Sequence, residues 1–300
     1  MSKTHTAQND QRNEAVFIYV NGELLPRSMA KVSVFDSGFL LGDGIWEGIR
    51  LNKEKWIFFE DHMSRLFEAA RSIDLEIGAS VNEIFEALER TRKINNMTTD
   101  VYARIMFTRG EKTKAFQHPD FSIFGSTFVI IMEFSLPILG PNQEGLKLIT
   151  VPQVRGSPMS QDPKLNSHSK LNCVLACIQA KKSGGDEALM LDPLGFVSTS
   201  NSCNFFIVRK GELWTSTGDY CMNGITREKV IEIAVKLGIP TYQKNFSLVD
   251  VYGAAEIFLT GTFGGQTLVT EVDGRKIGKG QFGPITLKIK KSYESLIASY

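Results

Sequence analysis

The stretch "GGDEALMLDPLGFVSTSNSCNFFIV", residues 184–208, joins strand signals through a turn and a break. Apolar residues 188–191 are bounded by Gly184-Gly185 before and by the turn residues Asp192, Pro193, Leu194 and Gly195 after, the pattern of a short buried strand. A second strand follows the turn. It breaks over residues 198–202 into small hydroxyl and amide side chains and resumes as Phe205, Phe206, Ile207 and Val208. No residue in the break carries a charge, so whatever it faces is met by neutral hydrogen-bonding groups.

Working outward, "SKLNCVLACIQAKKSGG" predicts a helix started by Ser169 and stopped at Gly184-Gly185. "GITREKVIEIAVKLG" predicts another, with Val230, Ile233, Ala234 and Leu237 inward. "EIFLTGTFGG" reads as a strand running into a glycine-rich turn. "VTEVDGRKI" reads as a hairpin at Asp273-Gly274, and Ile285, Ile289, Tyr293 and Leu296 mark a last amphipathic helix. Upstream, "VFIYVNGELLP" predicts a hairpin at Asn21-Gly22, and "EDHMSRLFEAARSIDL" a helix with two acids at its start. Ser80 and Glu83 form a capping box before a further helix, while "VYARIMFTRG" and "TFVIIMEFSL" read as strands. Helices and strands do not alternate regularly, which predicts an α+β fold rather than a doubly wound parallel sheet. The expected organisation is a flexible polar tail over 1–15, a small domain over 16–135, a Pro/Gly-rich linker over 136–145 and a larger domain over 146–300.

The 34 basic and 33 acidic residues create no field that would draw the chain to nucleic acid or to an acidic membrane. No apolar run reaches the roughly 20 residues of a spanning helix. The four cysteines form no Cys-x-x-Cys pair, and Cys173 and Cys177, one helical turn apart, suit packing as buried thiols rather than a metal site. A cytoplasmic, reducing location is expected.

Two segments could cradle a phosphate. Gly224, Ile225 and Thr226 stand at a helix mouth, where unpaired N–H groups favour an anion, though the same pattern also serves as an ordinary cap. Gly261 and Thr262 follow a strand and could add donors. Arg65 within its helix is a candidate anion ligand or a solvated arginine, and Arg50 after "WEGI", like Tyr102 and Arg104, could be a strand residue facing a cavity. Tyr102 and Arg104, two apart on a strand, share one face and suit a carboxylate or a structural ion pair.

"VSVFDSGFLLGDGIWEGIR", "DHMSRLFEAA", "GGDEALMLDPLGFV", "NGITREKVIEIA" and "EIFLTGTFGG", in this order, resemble the class IV (fold type IV) pyridoxal-phosphate enzymes over nearly the whole chain from Val16. These include branched-chain and D-amino-acid aminotransferases and aminodeoxychorismate lyase. The resemblance implies a small N-terminal α/β domain, a larger C-terminal domain with a mixed sheet or barrel, pyridoxal 5′-phosphate in the cleft between them, and a homodimer. It implies that Arg65 binds the cofactor phosphate together with Gly224, Ile225, Thr226, Gly261 and Thr262. Trp46, Gly48 and Arg50 match the wall of the substrate pocket, and Tyr102 and Arg104 the substrate-side strand.

The chain departs from this family at two positions. The lysine that forms the Schiff base and shuttles the proton falls on Asn166, which cannot form an imine; Lys170 and Lys164 are the candidates to replace it. The glutamate that usually protonates the pyridine nitrogen falls on Thr199, whose hydroxyl can donate one hydrogen bond but is too weak an acid to protonate the ring. The leading expectation is an aminotransferase moving an amino group between an amino acid or primary amine and a 2-oxo acid, leaning to the branched-chain side. A lyase with the same cofactor, and a degenerate cofactor-binding protein, are the alternatives.

Overall fold

The computed structural model describes residues 9–136 and 145–300, which form two compact units. The linker expected over 136–145 lies almost wholly outside the described residues.

The first unit contains β1 (Phe17–Val20), β2 (Glu23–Pro26), α1 (Ser37–Leu41), β3 (Gly44–Asn52), β4 (Lys55–Trp56), α2 (Phe59–Ser72), α3 (Val81–Ile94), β5 (Val101–Thr108) and β6 (Thr127–Phe134). Its strands make one six-stranded sheet in the order β2-β1-β6-β5-β3-β4, antiparallel at every pairing. Asn21 and Gly22 both take positive φ, the two-residue turn that matches strand twist and joins β1 to β2. Met63, Leu66 and Ala70 of α2 recur at helical spacing and are buried, as are Ile45, Ile49 and Leu51 on one face of β3, the strand α2 packs against. Ser80 and Glu83 complete the capping box that starts α3.

The flexible tail expected through residue 15 is instead docked from Asp10 on. Asp10 caps the short 3-10 turn Gln11–Glu14, and Asn13 exchanges hydrogen bonds of 2.8 Å in both directions with the Phe134 backbone. Arg12 stacks on the Phe134 ring at 3.6 Å.

The second unit contains β7 (Leu146–Thr150), α4 (Leu171–Lys182), β8 (Glu187–Leu191), β9 (Val197–Ser200), β10 (Asn204–Arg209), β11 (Glu212–Thr215), α5 (Ile225–Lys236), β12 (Thr241–Gln243), α6 (Leu248–Tyr252), β13 (Glu256–Gly261), β14 (Gly265–Val272), β15 (Arg275–Lys276) and α7 (Pro284–Ala298). Its nine-stranded sheet runs β12-β11-β10-β13-β14-β7-β8-β9, with β15 on β14. The pairings β11–β12, β14–β7 and β7–β8 are parallel and the rest antiparallel, so the sheet is mixed. Leu148, Phe205, Ile207, Leu259 and Val269 form the centre of its core. Ala176 and Ala180 of α4 pack against Ala188 and Met190 of β8.

Residues 166–170 belong to the first unit although they fall within the sequence of the second. This removes Ser169 from the start of α4: its hydroxyl donates to the Gly42 carbonyl at 3.2 Å, and the helix begins at Leu171. Cys173 and Cys177 are free thiols and only half-buried, because Ala176 and Ala180 occupy the inward face of α4. Among the described residues no helix is long and apolar enough to cross a membrane.

Candidate active site

In the first unit, alternation along β3 and β5 turns Trp46, Gly48, Arg50, Tyr102 and Arg104 to one face of the sheet, with Gly48 opposite Arg104 and Arg50 opposite Tyr102. The Tyr102 hydroxyl rests on Gly48, where any Cβ would collide with it. Met106 of β5 and Val129 and Ile131 of β6 extend the same face, half-buried. The Arg104 guanidinium lies over the Trp46 ring, 4.0 Å from its centre, and Lys170 Nζ lies 5.9 Å from the same centre.

Lys170 reaches this face because residues 166–168 run antiparallel beside the start of β3. The Trp46 amide donates to the Asn166 carbonyl at 3.0 Å, Asn166 Nδ2 donates to the Trp46 carbonyl at 2.7 Å, and the His168 amide donates to the Gly44 carbonyl at 2.9 Å. The Trp46 indole donates to the Ser167 carbonyl at 3.1 Å, which fixes the ring. Asn166 is thus a buried structural clasp. His168 Nε2–H donates to the Ile45 carbonyl at 3.1 Å. Burial pushes the imidazole below its ordinary pKa, the charges of Arg104 and Lys170 reinforce this, and the Ile45 bond opposes it. Lys164 belongs to the second unit and is exposed on a turn closed by Leu165 N–H to the Asp162 carbonyl, so the extended geometry that would align it with Asn166 is not adopted.

Arg65 lies behind β3, on α2. Its Nε and Nη2 both reach the buried carboxylate of Glu47 at 2.7 Å, and His62 Nδ1 meets the same carboxylate at 2.7 Å. Burial would push the Glu47 carboxyl upward, but the Arg65 charge and hydrogen bonds, aided by His62, bring it down to about 2.

In the second unit, the Thr199 hydroxyl donates to the Cys203 carbonyl at 2.7 Å. The Ser200 hydroxyl and amide donate to that same oxygen at 3.0 and 2.9 Å. Three donors therefore converge on an acceptor with two lone pairs. Asn201 and Ser202 are committed to β8: Asn201 Oδ1 accepts from the Ala188 amide at 2.7 Å, and the Ser202 hydroxyl donates to Glu187 at 3.1 Å.

Gly224 is the N-cap of α5, and no side chain caps the helix there, so its first N–H groups keep their anion-binding character. Thr226, in the first turn, is buried. Asn204, opposite Thr260 in the β10–β13 pairing, connects this helix mouth to the end of β13. Its Oδ1 abuts Gly224 and its Nδ2 donates to the Met222 carbonyl at 2.8 Å. A Cβ on Gly261 would stand 3.0 Å from Cys203 Sγ, and Thr262 follows in the turn to β14. The Thr260 hydroxyl is buried without a partner among the described residues. Neither Asn204 nor Cys203 was readable as a site residue; the only local signal was the polar break before an apolar strand.

Residues 44–272 match the family described as amino-transferase class IV. The chain belongs to that family. Among class IV relatives, the branched-chain-amino-acid aminotransferase-like protein 1 of Arabidopsis thaliana is 37% identical over 284 residues, which is 95% of this chain and 51% of the relative. The chain thus spans about half the length of that protein. The branched-chain-amino-acid aminotransferase of Pseudomonas aeruginosa is 32% identical over 289 residues, 94% of this chain and 92% of the relative. The crystal structure of the branched-chain aminotransferase from the thermophilic archaeon Thermoproteus uzoniensis with norvaline superposes with a TM-score of 0.84 at 31% identity, covering 94% of this chain and 95% of that one. The fold is therefore type IV.

Class IV aminotransferases use pyridoxal 5′-phosphate, and the second unit fits its phosphate. An uncapped helix mouth, a partnerless buried hydroxyl at Thr260 and close backbone approach at Gly224 and Gly261 are what an anion cradle needs. Gly224→Ala tests the cradle. Gly224 has φ −69°, so alanine meets no backbone strain there, and a compatible Gly→Ala exchange ordinarily stabilises. Here the added Cβ collides with Asn204 Oδ1, and the expected result is a loss of about 1–3 kcal/mol. Thermal unfolding would show a lowered midpoint; a neutral or raised one would mean that Asn204 does not press on Gly224.

Proposed function

We propose that this chain transfers an amino group between a branched-chain amino acid and a 2-oxo acid, with Lys170 as the amine that holds the cofactor covalently and moves the proton. The observation that carries the reading is the sheet face of the first unit. Trp46, Met106, Val129 and Ile131 offer an apolar surface for a branched side chain, and Arg104, with Arg50 beside it 3.7 Å from Asp100, offers positive charge for a carboxylate on the same face. Lys170 is the lysine that shares the Trp46 ring with Arg104. Bound pyridoxal 5′-phosphate supplies the carbonyl that captures the donor amine and the conjugated ring that drains electrons from Cα.

Gly224, Ile225, Thr226, Gly261 and Thr262 bind the phosphate through neutral donors, and Arg65 adds the positive charge. Thr199 is the residue that would meet the pyridine nitrogen. Its hydroxyl is one of three donors on a single carbonyl, so it can be redirected to a ring nitrogen at little cost. The protein works as a homodimer in a reducing, cytoplasmic setting. Support comes from an exposed apolar stripe on α4 (Leu171, Val174, Leu175 and Ile178) and from four cysteines that form no disulfide.

The test is a half-reaction. Holoprotein is mixed with each enantiomer of leucine or valine without acceptor, and the cofactor spectrum is followed. Conversion to the amine form, reversed by a 2-oxo acid, is expected for one enantiomer. Thr199→Glu should speed the conversion by about tenfold, the worth of a charge-assisted over a neutral hydrogen bond. Product formed without accumulation of the amine form would replace this reading with a lyase, and no spectral change with any donor would reject it.

A further inference from the structure

We propose that Glu47 and His62 are positioning residues that hold Arg65 as a fixed fork for the cofactor phosphate. The inference rests on the reading of Arg65 as the phosphate arginine.

Glu47 points from β3 toward α2, away from the face that carries Trp46 and Arg50. Both of its oxygens are used: Oε1 accepts from Arg65 Nε, and Oε2 accepts from Arg65 Nη2 and His62 Nδ1, each at 2.7 Å. The side-on pairing fixes the plane of the guanidinium and turns its Nη1 end away from the carboxylate. Glu47 is 1% exposed and Arg65 17%, so the pair presents arginine outward with the acid behind it.

His62 is itself 1% exposed, and its Nε2 has no partner among the described residues. An unpartnered buried ring nitrogen is costly, and packing alone would favour an apolar side chain at that position of α2. What the imidazole contributes is the Nδ1–H bond that steadies Glu47 Oε2. The arrangement is a chain of support, histidine to glutamate to arginine, built from a strand and the helix that packs on it.

Two effects of Glu47 on an anion at Arg65 have opposite signs. Its negative charge weakens the local attraction for phosphate, whereas its hydrogen bonds remove the disorder of a long side chain. The positioning role requires the second effect to win, and this decides the experiment. Cofactor-stripped protein is titrated with pyridoxal 5′-phosphate and, separately, with pyridoxal, and the affinity ratio isolates the contribution of the phosphate.

Glu47→Gln is expected to lower that ratio by about tenfold or more, as loss of a supporting partner does at other anchored ligands, while leaving pyridoxal affinity unchanged. In an Arg65→Lys background, where no fork can form, Glu47→Gln should change the ratio little. His62→Asn keeps the carboxylate and should move the ratio the same way by a smaller factor, which serves if Glu47→Gln does not fold. A ratio that rises would make Glu47 a neutralising charge and overturn the proposal. Equal loss of both affinities would reduce the cluster to a structural role. If Arg65→Lys alone leaves the ratio untouched, the phosphate assignment of Arg65 fails instead, a result distinct from either.

Discussion

Lys170→Ala is expected to cut transamination by at least about a thousandfold, the scale of losing a residue that both bonds the reacting group and transfers its proton. By the family resemblance the lysine expected to do this work falls on Asn166, whose amide is tied to the Trp46 carbonyl and whose carbonyl is tied to the Trp46 amide. That clasp lays residues 166–168 along β3 and delivers Lys170 to the Trp46 ring. Lys164, exposed on its turn, has no such delivery. The reading therefore requires that the visible absorbance of the holoprotein be reducible by borohydride in wild type and in Lys164→Ala, and not in Lys170→Ala. An added primary amine should restore part of the Lys170→Ala activity, since proton transfer needs a base at that place rather than the chain itself. Loss of the reducible band in Lys164→Ala alone would move the assignment there. Retention of the band in both variants would leave neither lysine as the covalent group.

The parts of the site that were legible in the sequence are those set by local periodicity. A two-residue spacing placed Tyr102 with Arg104 on one face, the family resemblance grouped Trp46, Gly48 and Arg50, and β3 and β5 turn all five to the same face. Asn21-Gly22 and the Ser80–Glu83 box act within four residues, and both elements form as read. What was not legible depends on contacts distant in sequence. Asn166 meets Trp46 across 120 residues, and that pairing, absent from any local pattern, draws five residues out of one unit into the other and takes Ser169 from the helix it was expected to cap. Asn204 matters because β10 pairs with β13 and its side chain meets Gly224, neither of which leaves a mark on the residues around it. Glu47 and His62 looked like ordinary members of a strand and a helix until α2 packed on β3 and buried both.

That burial makes Glu47 an acid-sensitive support of the first unit. The Glu47 carboxyl lies at about 2 in the folded protein against an ordinary value of 4.5. Because the folded value is the lower one, the stabilisation is fully present above about pH 4.5 and drains away as pH falls toward 2. A shift of this size corresponds to about 3 kcal/mol, since one pH unit is worth about 1.4 kcal/mol. Glu47→Ala should accordingly cost about 3–5 kcal/mol at neutral pH, because it removes the buried carboxylate that both Arg65 and His62 bond. Near pH 2.5 the difference between wild type and variant should shrink markedly, because the carboxyl of the unfolded chain, at its ordinary value of 4.5, is then protonated and unfolding is favoured by that proton uptake. Denaturant unfolding at pH 7, 4 and 2.5 measures this convergence. A gap that stays constant over that range would mean that the variant suffers from lost packing and that the carboxylate's charge contributes nothing. A gap that closes would show that the ion pair itself fastens α2 to β3, and with it the arginine that α2 carries.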